Sequence, residues 1–113
     1  MSGPTVLVCG GRDFADRELV FRVLDEIAPS VVANGGADGA DLLSTEWAGQ
    51  RRVSVRVFPA FWKRDGKAGP MRNQRMLECN KVDLVVAFPG GRGTADMVAR
   101  ARKAGIEVRE VGP

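Results

Sequence analysis

The 113-residue chain contains no histidine, only two cysteines and no apolar run that approaches the length of a membrane span. Without an imidazole there is no Ser-His-Asp or Cys-His triad. Cys9 and Cys79 form neither a CxxC pair nor a zinc spacing, so a disulfide framework is not expected, nor is a metal or cofactor. Val82–Phe88, with Asp83 inside it, falls far short of the ~20 apolar residues that a bilayer requires. No basic-then-apolar leader opens the chain, where Met1–Pro4 runs straight into an apolar stretch. The expectation is a soluble, cytoplasmic protein with no membrane partner.

What is present is globular. Hydrophobic residues make up 44% and charged residues 27%, values that exclude disorder, collagen and coiled coil. The length predicts one domain over residues 1–113, burying about two-thirds of the extended chain's surface on folding. The net charge of +3 is unevenly spread. Between Trp47 and Leu77 lie Arg51, Arg52, Arg56, Lys63, Arg64, Lys67, Arg72 and Arg75 against one acid, Asp65. Of the 17 basic residues 13 are arginine, the side chain suited to bidentate phosphate contacts. Two readings follow: an anion-facing surface, or a solvated basic face.

Short β-branched runs alternate with helical patterns. Strands are expected at Thr5–Val8, Ser30–Ala33, Val53–Phe58, Asp83–Phe88 and Ile106–Val111. Helices are expected at Arg17–Ala28, from an Asp38 cap through Gln50, at Pro70–Cys79, and at Ala95–Ala104 capped by Thr94. Five strands alternating with four helices predict an α/β fold with a mostly parallel sheet. Right-handed crossovers favour the order 3-2-1-4-5. That order makes neighbours of the three strands that end in glycine loops.

Those loops are Gly10-Gly11-Arg12-Asp13, Asn34-Gly35-Gly36-Ala37-Asp38-Gly39 and Pro89-Gly90-Gly91-Arg92-Gly93-Thr94. Glycine lets a backbone approach a ligand closely, and a helix start behind it presents free N–H groups to a phosphate. In an open α/β sheet ligands bind beyond the strands' carboxyl ends at the switch point, here between the first and fourth strands. A single glycine turn is explained by sterics alone; three converging on one rim point to a phosphate-bearing ligand. Neither a Walker P-loop nor GxGxxG is present, which excludes a P-loop NTPase and argues against ordinary dinucleotide binding.

Pro89-Gly90-Gly91-Arg92-Gly93-Thr94 resembles the PGGxGT loop of LOG-type phosphoribohydrolases. With Gly10–Phe14, Asn34–Asp41 and Ala68–Asn73 it resembles the short YspA-type branch of the SLOG superfamily, which also contains the Smf/DprA proteins. The resemblance spans almost the whole chain. It implies a Rossmann-like three-layer sandwich that binds nucleotides or nucleotide-derived molecules, with roles proposed in phage–host conflict. LOG enzymes cleave the N-glycosidic bond of nucleoside 5′-monophosphates with an arginine and a glutamate. Arg72 matches the arginine; the glutamate position is Met97, with Asp96 one residue away, about 100° around the helix. An oxocarbenium-like state needs a nearby carboxylate, so this departure favours binding over hydrolysis. If the protein is an enzyme, Arg72, Asp38 and Asp96 are its candidate catalytic groups, with Asp41 a further available carboxylate.

The candidate ligand contacts are Gly10, Gly11, Arg12, Gly35, Gly36, Asp38, Asp41, Arg72, Asn73, Gly90, Gly91, Arg92, Gly93 and Thr94. Asp38 and Asp41 are either ribose-binding groups or first-turn carboxylates favoured by the helix dipole. Arg12 either reaches a phosphate or makes a surface salt bridge, and Arg92 either clamps over the ligand or points to solvent. Phe58, Phe61 and Trp62, interleaved with Arg56, Lys63 and Arg64, suit single-strand stacking, a flap over a base, or an interface. The expected partner is a nucleotide-derived small molecule, with single-stranded nucleic acid as the alternative. LOG-type relatives dimerise, so a homodimer or homotetramer is also implied.

Overall fold

The computed structural model describes residues 3–59 and 68–112. Strands β1 (Thr5–Cys9), β2 (Val31–Asn34), β3 (Ser54–Val57), β4 (Leu84–Ala87) and β5 (Glu107–Glu110) form one sheet in the order β3-β2-β1-β4-β5, the order expected. Every neighbouring pair is parallel. At the centre Val6 lies beside Leu84 and Cys9 beside Ala87, so β1 and β4 end level with each other. Helices α1 (Arg17–Ile27), α2 (Ala40–Arg51), α3 (Ala68–Cys79) and α4 (Arg92–Lys103) complete a Rossmann-like three-layer arrangement.

The continuous apolar runs of β1 and β4 reflect burial on both faces. Val6, Val8, Val86 and Phe88 turn to one side, where Val20, Val23 and Leu24 of α1 and Trp47 and Ala48 of α2 cover them. Leu7, Cys9, Val85 and Ala87 turn to the other, against Met76 and Leu77 of α3 and Met97, Val98 and Ala101 of α4. Strand β3, by contrast, is exposed along its whole length at the sheet margin. No helix among the described residues is long and apolar enough to cross a membrane.

Three helix starts differ from expectation. Asp38 does not cap α2: Gly39 holds that position at φ 77°, and no side chain caps the helix. The left-handed backbone there favours glycine. A β-carbon at Gly39 would also run into the Gly11 carbonyl oxygen. Thr94 does not cap α4, which begins three residues earlier than Ala95, behind Gly91. The Ala95 N–H already closes a helical bond to the Gly91 carbonyl (3.0 Å), which draws Arg92, Gly93 and Thr94 into the first turn. Helix α3 also starts early, at Ala68; Pro70 is tolerated because first-turn N–H groups lack helical partners anyway.

Candidate functional site

The three glycine loops meet at the carboxyl ends of β2, β1 and β4 and are joined through their backbones. The Gly11 N–H donates to the Pro89 carbonyl (2.8 Å), and the Gly11 carbonyl accepts from Phe14 (3.2 Å) and Ala40 (3.3 Å). The loop after β2 is held from below by side chains. Buried Asn34 donates through Nδ2 to the Asp41 carbonyl (3.1 Å), Ser44 Oγ (2.9 Å) and Thr45 Oγ1 (2.9 Å), while its Oδ1 accepts from the Gly36 N–H (2.9 Å). Asp41 Oδ2 accepts from the Gly35 (3.1 Å) and Ala37 (3.2 Å) N–H groups. Asp41 is thus an inward-turned carboxylate that shapes its own loop.

Above this frame lies a cavity of about 280 Å³. Gly10, Gly11, Arg12, Gly35, Asp41, Arg72, Asn73, Gly91, Arg92, Gly93 and Thr94 line it, so most of the expected contacts come together. Exposed Asp38 and Gly36 border a lobe of about 260 Å³ that shares Arg12, Gly35, Ala37 and Arg72 with the central cavity. Gly90 and Asp96 do not line the central cavity itself: Gly90 borders the space on the far side of its loop, and Asp96 borders an adjoining pocket of about 310 Å³ that shares Arg72, Asn73, Arg92 and Gly93 with the central one. Gly90 packs behind the loop, where a β-carbon would sit 2.6 Å from the Gly11 nitrogen. Asp96 is taken up by Asn73 Nδ2 (3.0 Å) and Arg100 Nε (2.8 Å), a brace between α3 and α4. Met97, at the position matching the glutamate of the LOG-type loop, is 1% exposed and packed in the α3/α4 core.

Arg72 reaches the site from the second turn of α3. Its Nη1 donates to the carbonyls of Gly35 (2.9 Å) and Phe58 (3.0 Å), and its Nε to Asn73 Oδ1 (3.0 Å). Burial lowers its pKa from the ordinary value, and nearby Asp41 opposes the shift. Asn73 continues the chain of contacts to the Gly93 carbonyl (3.2 Å). The arginine therefore positions two loops as well as supplying charge to the cavity wall.

The described basic residues of the 51–75 segment are carried by the end of α2, by β3 and by α3. Arg51 pairs with Asp25 (2.9 Å), Arg56 donates to Asn80 (3.1 Å), and of the segment's described basic residues only Arg72 lines the central cavity. Phe58 packs against the α3/α4 core. Phe61, Trp62, Lys63 and Arg64 lie outside the described residues.

Sequence reasoning missed three contributors. Asn34 carries the loop network, and its signal was a polar residue ending a buried strand. Cys9 and Met76 form part of the cavity wall. Burial pushes the Cys9 thiol up to about 12, so it stays protonated and unreactive. Met76 follows Arg72 by four residues, on the same helix face.

Burial also raises the Asp41 carboxyl to about 6, against the N–H bonds of Ala37 and Gly35 and the attraction of Arg72. The folded state thus holds this proton more tightly than the unfolded chain. The associated stability is fully present below about pH 4 and is lost as pH rises through about 6, a change of roughly 3 kcal/mol. Asp41→Asn keeps an acceptor oxygen and removes the charge. Its stability relative to the parent is expected to climb by about that amount between pH 4 and pH 7 in urea unfolding. A constant difference would refute the buried ionisation.

A parallel α/β fold with glycine loops around a cavity at its strand-order switch point places the chain in the Rossmann-like class, whose ligands bind at that crevice. The model of the YspA, cpYpsA-related SLOG family matches residues 4–64, which include the loops after β1 and β2. The Gene 61 protein of Mycobacterium phage D29 is 41% identical over 120 residues, covering 95% of each chain and so also taking in α3 and the Pro89–Thr94 loop. The chain belongs to the YspA, cpYpsA-related SLOG family. Membership points to a nucleotide-related ligand.

Proposed function

We propose that this protein binds a nucleotide or nucleotide-derived ligand and holds it intact, as a sensor or sequestering protein. The observation that carries the reading is the start of α4. Arg92, Gly93 and Thr94 precede the first helical N–H bond of α4 and line the cavity together with Arg72 and Arg12. Free first-turn N–H groups and the positive end of the helix dipole suit a phosphate. The lobe beside Asp38 supplies a carboxylate for ribose hydroxyls.

Cleavage of the glycosidic bond is disfavoured by the same geometry. The position matching the LOG enzymes' glutamate is a core methionine, and Asp96 accepts from Asn73 and Arg100. Titration calorimetry with AMP, ADP and adenosine, and with the guanosine series, tests the phosphate assignment. The phosphorylated probes are expected to bind roughly 100-fold tighter than the nucleosides, a difference of about 2.7 kcal/mol. Their affinity should fall only shallowly with salt, whereas a polynucleotide binder loses affinity steeply. Equal affinity for nucleoside and nucleotide would overturn the reading, as would tight, steeply salt-dependent binding of single-stranded oligonucleotides.

A further inference from the structure

A second cavity, of about 690 Å³, opens on the other side of the Pro89–Thr94 loop, between α4 and the end of β5. Its walls are largely apolar, with Phe88, Ala95, Val98 and Val111 among them. At its outer end Arg102 Nη2 donates to Glu110 Oε2 across 2.9 Å. Gly91 and Thr94 line both this cavity and the central one. At Gly91 a β-carbon would meet nothing within 4 Å, so the divide between the two spaces is bare backbone there. From Gly91 to Arg102 the helix offers a groove roughly 16 Å long at about 1.5 Å per residue.

The chemistry of this groove selects its occupant. A phosphate is unsuited to apolar walls with Glu110 at the far end. A flat heterocycle suits them: its faces meet aliphatic carbon, and its edge meets a guanidinium donor and a carboxylate acceptor. The continuity through Gly91 connects that ring to phosphates resting on the start of α4.

We infer that the ligand is two-ended, of the dinucleotide class, with its bridging phosphates over Gly91–Thr94, one nucleoside towards Arg12 and Asp38, and the second base in the groove between α4 and β5. The inference rests on the phosphate placement proposed above. It puts the two arms on opposite sides of the switch point, one over β2 and the other over β5.

Diadenosine diphosphate and diguanosine diphosphate are the two-ended probes, with ADP and GDP as their one-ended controls. Calorimetry should show one two-ended probe binding at least about tenfold tighter than its control, or 1.4 kcal/mol. Ala99→Phe, which fills the groove from an exposed helix position, should abolish that advantage and leave ADP and GDP within about twofold of their original affinity. Arg102→Ala, at an exposed site, should reduce the same advantage and guards against misfolding of the first variant. Equal affinity of two-ended and one-ended probes, or an advantage that survives both substitutions, would overturn the groove while leaving the phosphate site standing. No binding by any of the four would overturn both.

Discussion

Gly91→Val is expected to abolish nucleotide binding while the protein stays folded, and Gly90→Val to destabilise the fold strongly. The two glycines are adjacent, but their surroundings differ. A β-carbon at Gly91 meets nothing within 4 Å, and φ of −104° suits any residue. Its cost in stability is limited to the weaker capping tendency of valine, about 1 kcal/mol. The added branches would nevertheless occupy the mouth of the cavity, where the phosphate is placed, and a loss of roughly 100-fold in affinity is expected. At Gly90 the β-carbon would lie 2.6 Å from the Gly11 nitrogen and 2.9 Å from the Gly10 carbonyl carbon, besides striking Thr94 Oγ1. Both backbone neighbours belong to the adjoining loop, so relief requires breaking the Gly11–Pro89 hydrogen bond. Overpacking plus that lost bond amounts to about 3 kcal/mol, a large part of a typical stability. Thermal melts with calorimetry separate the two outcomes. Wild-type affinity in Gly91→Val would remove the phosphate from this loop.

Arg72→Ala is expected to damage both folding and binding. The guanidinium satisfies two carbonyls on two different loops and the side chain of Asn73, and it packs against Gly35, where a β-carbon would displace it. Hydrogen bonds from a charged donor contribute about 1.5–3 kcal/mol each. A net loss of about 3 kcal/mol is expected for this half-buried group, since water re-solvates part of what is exposed. Affinity for ADP should fall by roughly 100-fold, through lost charge and through loosening of the Gly35 loop. Arg72→Lys should recover little of either, because a single ammonium cannot replace the planar fork on these carbonyls and Asn73. Arg72→Ala with unchanged melting and unchanged affinity would show that the side chain neither braces nor faces the ligand.

Much of this architecture was legible in the sequence for a physical reason. β-branched runs separated by helical stripes admit few right-handed topologies, and the order that results brings the three glycine loops to one rim. The loop residues that line one cavity could therefore be grouped without any side-chain detail. Detail failed where one backbone angle decides direction. Asp38 and Asp41 are three residues apart and look equivalent on paper. The left-handed turn at Gly39 leaves Asp38 in solvent and points Asp41 at the Gly35 and Ala37 N–H groups. Thr94 was read as a cap from residue preference, but the backbone bond from Ala95 to Gly91 starts the helix a turn sooner. Asp96 looked free because its partners, Asn73 and Arg100, come from another helix and from its own next turn. Asn34 escaped notice because nothing local announces a buried network completed ten residues later by Ser44 and Thr45.

The central claim is that a phosphate-bearing ligand is held, not cut, at the meeting point of these loops. Its most direct test is mass spectrometry on a nucleotide panel incubated with the protein, with bound and free fractions analysed separately. Recovery of one intact nucleotide or dinucleotide from the bound fraction, absent from the Gly91→Val protein, is the predicted result. Free base together with ribose 5-phosphate in the supernatant would contradict it and make the protein a hydrolase despite the buried Met97.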